Sequence, residues 1–211
     1  MKKILGLAIA AMLIMATVGF GTWSYFSDQE SSDDNQITAG TLDMKINNAD
    51  DPYTILTGLT NKGPGDTGSN YAPLKNAGSL PGKFSLATGA VTNTGAVVGT
   101  GEFADGVGNL GAESEIAPWI DVNANSTFDT GDLPLKSDQT VKAFGDGLQW
   151  DSWNDFASKT WDPVIASLAA HPGPDNIVNF YINWRIIGDV GNNIQGDSVK
   201  LSFTFYLDQI H

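Results

Sequence analysis

One stretch of this chain sets oxygen-bearing side chains at a spacing that can chelate a hard cation. It runs Asp121-Val122-Asn123-Ala124-Asn125-Ser126-Thr127-Phe128-Asp129-Thr130-Gly131-Asp132. Counted as a calcium loop, it puts Asp121, Asn123 and Asn125 at ligand positions 1, 3 and 5. Thr127 offers its backbone carbonyl at position 7, and Asp129 and Asp132 fall at 9 and 12. A tight loop wraps every second side chain onto one ion, which also relieves the repulsion among the Asp residues. Phe128, at position 8, is expected to anchor the loop to the core.

The loop resembles dockerin and extracellular EF-hand-like loops, which often end in Asp. It departs from them at Ser126, where Gly usually makes the sharp turn. No pair of flanking helices is evident, and Pro118-Trp119-Ile120 reads as a strand. The alternative is an Asp/Asn-rich turn with no ion. The expectation is structural calcium, tying down a loop in a chain without cysteine. Asn125-Ser126-Thr127 is also an N-glycosylation sequon, and a glycan would compete with the metal for Asn125.

Other chemistry finds little support. There is no His-Glu-x-x-His, no Gly-x-Ser-x-Gly elbow and no thiol nucleophile. The two histidines are His171, beside a proline, and His211, at the terminus. Paired carboxylates occur anywhere in so acidic a chain and carry no specificity. The glycines between Gly99 and Gly108 lack the following helix and Lys of a phosphate cradle. The expectation is a non-enzyme. Trp150, Trp153 and Trp161 could stack on a sugar ring, although such a stripe more often packs into a core.

The formal net charge is −13. Nucleic acid and anionic lipid would be repelled, whereas divalent cations or a basic partner would be attracted. Solubility alone is an equally good reason for the charge. A single domain of this size can bury a core without disulfides.

Alternation marks the elements. Leu42, Met44 and Ile46 share one face of a strand over residues 37–46, and Tyr53–Thr57 can be a second. Residues 61–68 read as loop, 82–88 and 89–93 as strands, and 95–111 as a long glycine-rich excursion. In Gly147–His171 the apolar residues recur at mixed spacings, which suits one or two short amphipathic helices. Two strong strands close the chain. One puts Val178, Phe180, Ile182, Trp184 and Ile186 on one face; the other does so with Val199, Leu201, Phe203, Phe205 and Leu207. The fold expected is all-β, an antiparallel sandwich with a short helical insertion on its surface.

The N-terminus reads as an address. Lys2 and Lys3 precede an uncharged apolar run, Ile4 to Phe20, and Thr22 and Ser24 are small residues at the −3 and −1 positions before Tyr25. Residues 1–24 are thus expected to be a signal peptide, cut by signal peptidase. Cleavage leaves 187 residues with a net charge of −15, from 9 basic and 24 acidic. No second apolar run could span a bilayer and the C-terminus shows no anchor, so the mature chain is expected outside the cell, free of the membrane. Pilin-like retention of the apolar segment is the competing reading, with almost no leader before Ile4 to remove.

Gly21-Thr22-Trp23-Ser24-Tyr25-Phe26-Ser27-Asp28, followed by Ala39-Gly40-Thr41-Leu42-Asp43, resembles the TasA/CalY (camelysin) family of secreted fibre subunits. That family carries G-T-W-(A/S)-x-F at its cleavage site and A-G-T-L-D-(L/M) shortly after. The resemblance covers Met1 to Ile46 and returns at Gln195–Phe203. It implies a jelly roll and an extracellular filament, in which each mature N-terminal segment completes the sheet of the next subunit. Residues 25–36 would be the donor arm and 37–211 one β-sandwich domain. Tyr25 and Phe26 would be the apolar plugs, with Ile37 adding specificity, because Ser27 to Asn35 is polar and has no apolar ladder. One branch of the family has been labelled metallopeptidase, which the absence of a zinc motif here does not favour. The remaining alternative is a monomeric secreted module binding carbohydrate or matrix.

Overall fold

Two strands with strictly alternating side chains face one another and organise the molecule. In the computed structural model the described residues are 40–50, 54–60, 62–95, 108–173, 175–190 and 194–210, all within the compact unit Gly40–His211. The signal segment, the arm and the residues Thr22, Ser24, Tyr25, Phe26 and Ile37 lie outside the described residues.

The strands are β1 (Met44–Ile46), β2 (Thr54–Thr60), β3 (Thr67–Asn76), β4 (Gly82–Thr88), β5 (Thr92–Thr94), β6 (Ser114–Asp121), β7 (Leu133–Pro134), β8 (Asp151–Ser152), β9 (Thr160–Leu168), β10 (Ile177–Ile186) and β11 (Ser198–Gln209). Among the described residues a four-residue helix, α1 (Leu110–Glu113), precedes β6. One sheet has the order β1-β3-β10-β6-β7, with β8 also on β6. The second has the order β2-β11-β4-β9, with β5 also on β11. All pairings are antiparallel. The all-β antiparallel sandwich expected from the sequence is the fold observed.

The core lies between the sheets. The inner faces of β10 and β11 carry the residues expected of them: Val178, Phe180, Ile182, Trp184 and Ile186 oppose Val199, Leu201, Phe203 and Phe205. Phe180 packs on Phe203 at 5.0 Å and edge-on to Phe205 at 5.1 Å. Asn76, fully buried, ties the β3 end together. Its side chain donates to the Leu80 carbonyl and accepts from the Gly78 N–H, while its own carbonyl accepts from Asn176 Nδ2.

Among the described residues of the strand expected over 37–46, β1 takes up only Met44–Ile46, and β5 is Thr92–Thr94 instead of the 89–93 expected. Two further expectations are overturned outright. The 147–171 region is not helical. It holds β8, a single 3-10 turn at Trp153–Phe156 capped by Ser152, and the nine-residue strand β9. Pro163 falls inside β9, and pairing with β4 passes through irregular register there, so the apolar spacing follows bulges instead of a helix. The second correction is β3. Residues 67 and 68 belong to a ten-residue strand, not a loop. Thr-Gly-Ser-Asn-Tyr-Ala-Pro-Leu-Lys-Asn has low strand propensity; the pairing with β10 imposes the conformation. Gly68 is required by close approach, since a Cβ there would strike the Trp184 ring.

Trp153 and Trp161 are 0% and 1% exposed, and Trp161 Nε1 donates to the Lys136 carbonyl. They are core residues, whereas Trp150 is half-buried under Arg185, whose guanidinium sits 4.3 Å from its ring centroid. Trp153→Ala or Trp161→Ala should therefore cost about 3–5 kcal/mol of stability in a denaturant titration. Trp150→Ala should cost about 1 kcal/mol or less. Equal effects of all three would contradict this placement.

Candidate functional site

Two features of the first sheet bear on the chemistry expected from the sequence. The first is the loop after β6. Asp121 ends that strand, 0% exposed, and its carboxylate turns into the loop. One oxygen accepts the Asn125 N–H at 3.1 Å; the other accepts the Ser126 N–H at 2.7 Å and Asn179 Nδ2 at 3.2 Å. Asn123 Oδ1 also takes the Asn125 N–H, and Asn125 Oδ1 takes that of Thr127. Asp132 closes the far end, accepting the Val122 N–H at 3.0 Å and the Asp129 N–H at 2.8 Å. Asp129 accepts from the carboxamides of Asn123 and Asn125.

The structure thus brings Asp121, Asn123, Asn125, Asp129 and Asp132 into one hydrogen-bonded loop, with Thr127 among them. Ser126 adopts the left-handed conformation (φ 66°) that Gly usually supplies at this place, and Ala124 does the same at φ 54°. Burial pushes the Asp132 carboxyl above its usual range; loop N–H groups oppose that, and the charges of Asp121 and Asp129 add to it. Among the described residues no group of three or more His, Cys, Asp or Glu side chains is placed to hold a metal. The oxygens are instead turned to loop N–H groups, so any cation would have to draw carboxylates away from them.

Phe128 anchors the loop, but on the outer face of the first sheet. It packs edge-on to Trp119 at 5.2 Å and tilted against Phe144 at 4.9 Å. From Trp119 an aromatic row crosses three strands. Trp119 on β6 stacks on Tyr181 of β10 at 4.6 Å, and Tyr181 stacks on Tyr71 of β3 at 5.2 Å. These are register partners, Trp119↔Tyr181↔Tyr71, so strand pairing creates the row.

The row ends at the second feature, the margin of β3 that is unpaired among the described residues. β1 pairs only with Leu74–Asn76, and Asn47 N–H reaches the Pro73 carbonyl at 3.0 Å. Pro73 lacks an N–H, as suits a strand margin. Among the described residues no strand pairs with Thr67–Ala72 on that side. The Pro73 carbonyl faces this margin and the Asp66 carbonyl faces β10, so by alternation the backbone groups of Thr67, Ser69 and Tyr71 also face the margin. Burial alternates regularly from Ala72 to Asn76, where β1 covers the strand. It is lost from Thr67 to Tyr71, and Tyr71 is 62% exposed. Beside this margin a groove of about 510 Å³ opens between the sheets, lined by Asn47, Thr57, Ser69, Asn70, Ala72 and Ile182 together with Tyr71. Asn70 Nδ2 reaches Thr57 Oγ1 across its mouth at 3.3 Å. Sequence reasoning missed Tyr71 and this margin. The only signal was the short Ala72–Leu74 alternation beside an aromatic residue.

Asp121→Ala should cost about 2–3 kcal/mol in the presence of a chelator, because the Asn125 and Ser126 N–H groups lose a buried acceptor. Asp121→Asn keeps one acceptor oxygen and should cost less. Urea denaturation midpoints measure both, and equal stability of wild type and Asp121→Ala would show that the carboxylate does not hold the loop.

No curated protein matches the chain. The family model described as camelysin metallo-endopeptidase matches residues 1–104, a span that includes both N-terminal motifs and strands β1 to β5. Over that span, just under half of the chain, the sequence is similar to the camelysin family, which is the TasA/CalY family.

Proposed function

We propose that the protein is the structural subunit of an extracellular filament, assembled when the N-terminal arm of one copy adds to the sheet of the next. The observation that carries this reading is the margin of β3. A sheet with outward-facing backbone groups at Thr67, Ser69 and Tyr71, beside a groove between the layers, has the hydrogen-bonding need that an added strand meets. Export and cleavage before Tyr25 would release the arm, residues 25–36, as the donor. Donor and acceptor surfaces differ, so the contact is heterologous and propagates as a fibre.

The word endopeptidase describes the family model. In this chain the histidines are His171 and His211, and no His-Glu-x-x-His occurs, which favours a non-catalytic subunit. The acidic loop is assigned a structural calcium held by Asp121, Asn123, Asn125, Asp129 and Asp132, with the Thr127 carbonyl. In its support stand the hard oxygen donors at alternate positions and the mutual repulsion of three carboxylates. Its partners are then copies of itself and, during export, signal peptidase; nucleic acid is excluded by charge. Among the described residues no helix is long and apolar enough to cross a membrane.

Full-length protein exported by a bacterial host should begin at Tyr25 by N-terminal sequencing and form thin, uniform filaments in negative-stain electron microscopy. Deleting residues 25–35 should leave folded monomers. Monomers from the intact chain under all conditions would refute the filament reading. Calcium at 1–2 mM, a concentration about that of weak extracellular sites, should raise the melting temperature by several degrees. Asp129→Asn should remove most of that shift, and no shift in the wild type would refute the calcium assignment.

A further inference from the structure

The margin of β3 is not uniform along its length, and its variation selects a register. We infer that the incoming strand lies antiparallel to β3 with Tyr25 of a second copy opposite Tyr71, Phe26 opposite Asn70, Ser27 opposite Ser69 and Asp28 opposite Gly68. This rests on the strand-addition reading above and specifies it.

Four observations converge on that alignment. The first is length. β1 already runs antiparallel along this margin and its pairing ends with Asn47 at Pro73. A strand that begins opposite Tyr71 continues the same line without overlapping it, and Tyr25 is the first residue after the expected cleavage site. The second is the pair of adjacent aromatics. Neighbouring residues of a strand point to opposite faces, so Tyr25 and Phe26 cannot both enter the groove. One ring must lie outside, and the aromatic row ends there. Tyr71 stacks one side on Tyr181 and is 62% exposed, leaving a ring face for Tyr25.

The third is the inner side. Asn70 points between the sheets, where the groove floor includes the buried Ala72 and Ile182, and this is where Phe26 would fall. The fourth is charge. On the same inner side, Gly68 lies against Trp184, and the Lys62 ammonium sits 5.2 Å from the centroid of that ring. Asp28 opposite Gly68 would meet Lys62. A slip by one residue would put Phe26 outside and Tyr25 inside and would turn Asp28 away from Lys62. A slip by two would leave Tyr71 without its aromatic partner.

The chain has no cysteine, so single cysteines report register directly. Exported Ser27→Cys and Ser69→Cys proteins would be mixed, allowed to assemble under mild oxidation, and run on non-reducing gels. Opposed residues of paired strands lie within disulfide reach, about 4.5–5.5 Å between α-carbons. The expected result is a covalent dimer linked 27–69, at least tenfold more abundant than from Ser27→Cys mixed with Thr67→Cys. Filaments that cross-link preferentially 27–67, or at neither pair, would overturn the register and leave strand addition standing. Absence of filaments would overturn both.

A second measurement uses the wild-type arm. Tyr71→Ala should raise the protein concentration needed for filaments roughly two- to tenfold, the worth of one stacked aromatic pair. Tyr71→Phe should assemble as wild type. Lys62→Glu should weaken assembly, and Asp28→Lys in the same chain should restore it. Wild-type assembly of Tyr71→Ala would overturn the inference.

Discussion

The contact on which everything else rests is the apposition of the inner faces of β10 and β11. Phe180 meets Phe203 and Phe205 there, and Phe84 stacks behind Phe205 at 6.1 Å. Both strands are central in their sheets. β10 carries β3 and β6 on its two margins; β11 carries β2 on one and β4 and β5 on the other. Burying each such ring contributes about 1.5–3 kcal/mol, enough to hold two sheets together without a disulfide. Neighbouring strands then take their register from these two. That is why weak strand formers such as Thr67–Asn70 are extended at all.

Fixing β10 also fixes its outer face. Tyr181 is set between Trp119 and Tyr71 because all three are partners across one rung of the sheet. The same rung connects the two features of interest. At one end Phe128 clamps the acidic loop onto Trp119; at the other Tyr71 stands at the margin of β3. The row is also a physical reason for Phe128 to point outward. Phe128 and Tyr181 both pack against Trp119, which is buried.

An unpaired strand margin is a hazard, and the margin of β3, which has no partner strand among the described residues, is moderated by its residues. Ser69 and Asn70 are polar, Gly68 leaves no side chain to pack, and Pro73 withholds an N–H. Indiscriminate pairing would gain little apolar burial there. A strand with two adjacent large apolar residues, one for each side, gains more. Such an arrangement favours a particular partner strand over general aggregation.

The sequence by itself determined the fold class, the faces of β10 and β11, strand β4, and the alternate oxygen-bearing side chains of the acidic loop. These signals are local: alternation with a period of two is the geometry of a strand, and alternate oxygen donors are the geometry of a tight loop. Where local and tertiary effects disagreed, the tertiary structure decided. The apolar residues of 147–171 mimic a helix, yet Trp153 and Trp161 are held in the core by a 3-10 turn and a bulged strand. Residues 67–70 lack any strand pattern, yet β10 extends them. The row Tyr71–Tyr181–Trp119 and the groove beside β3 exist only once strands far apart in the chain are paired. No local pattern encodes which residue lies across from which, because register is set by the packing of the whole sandwich.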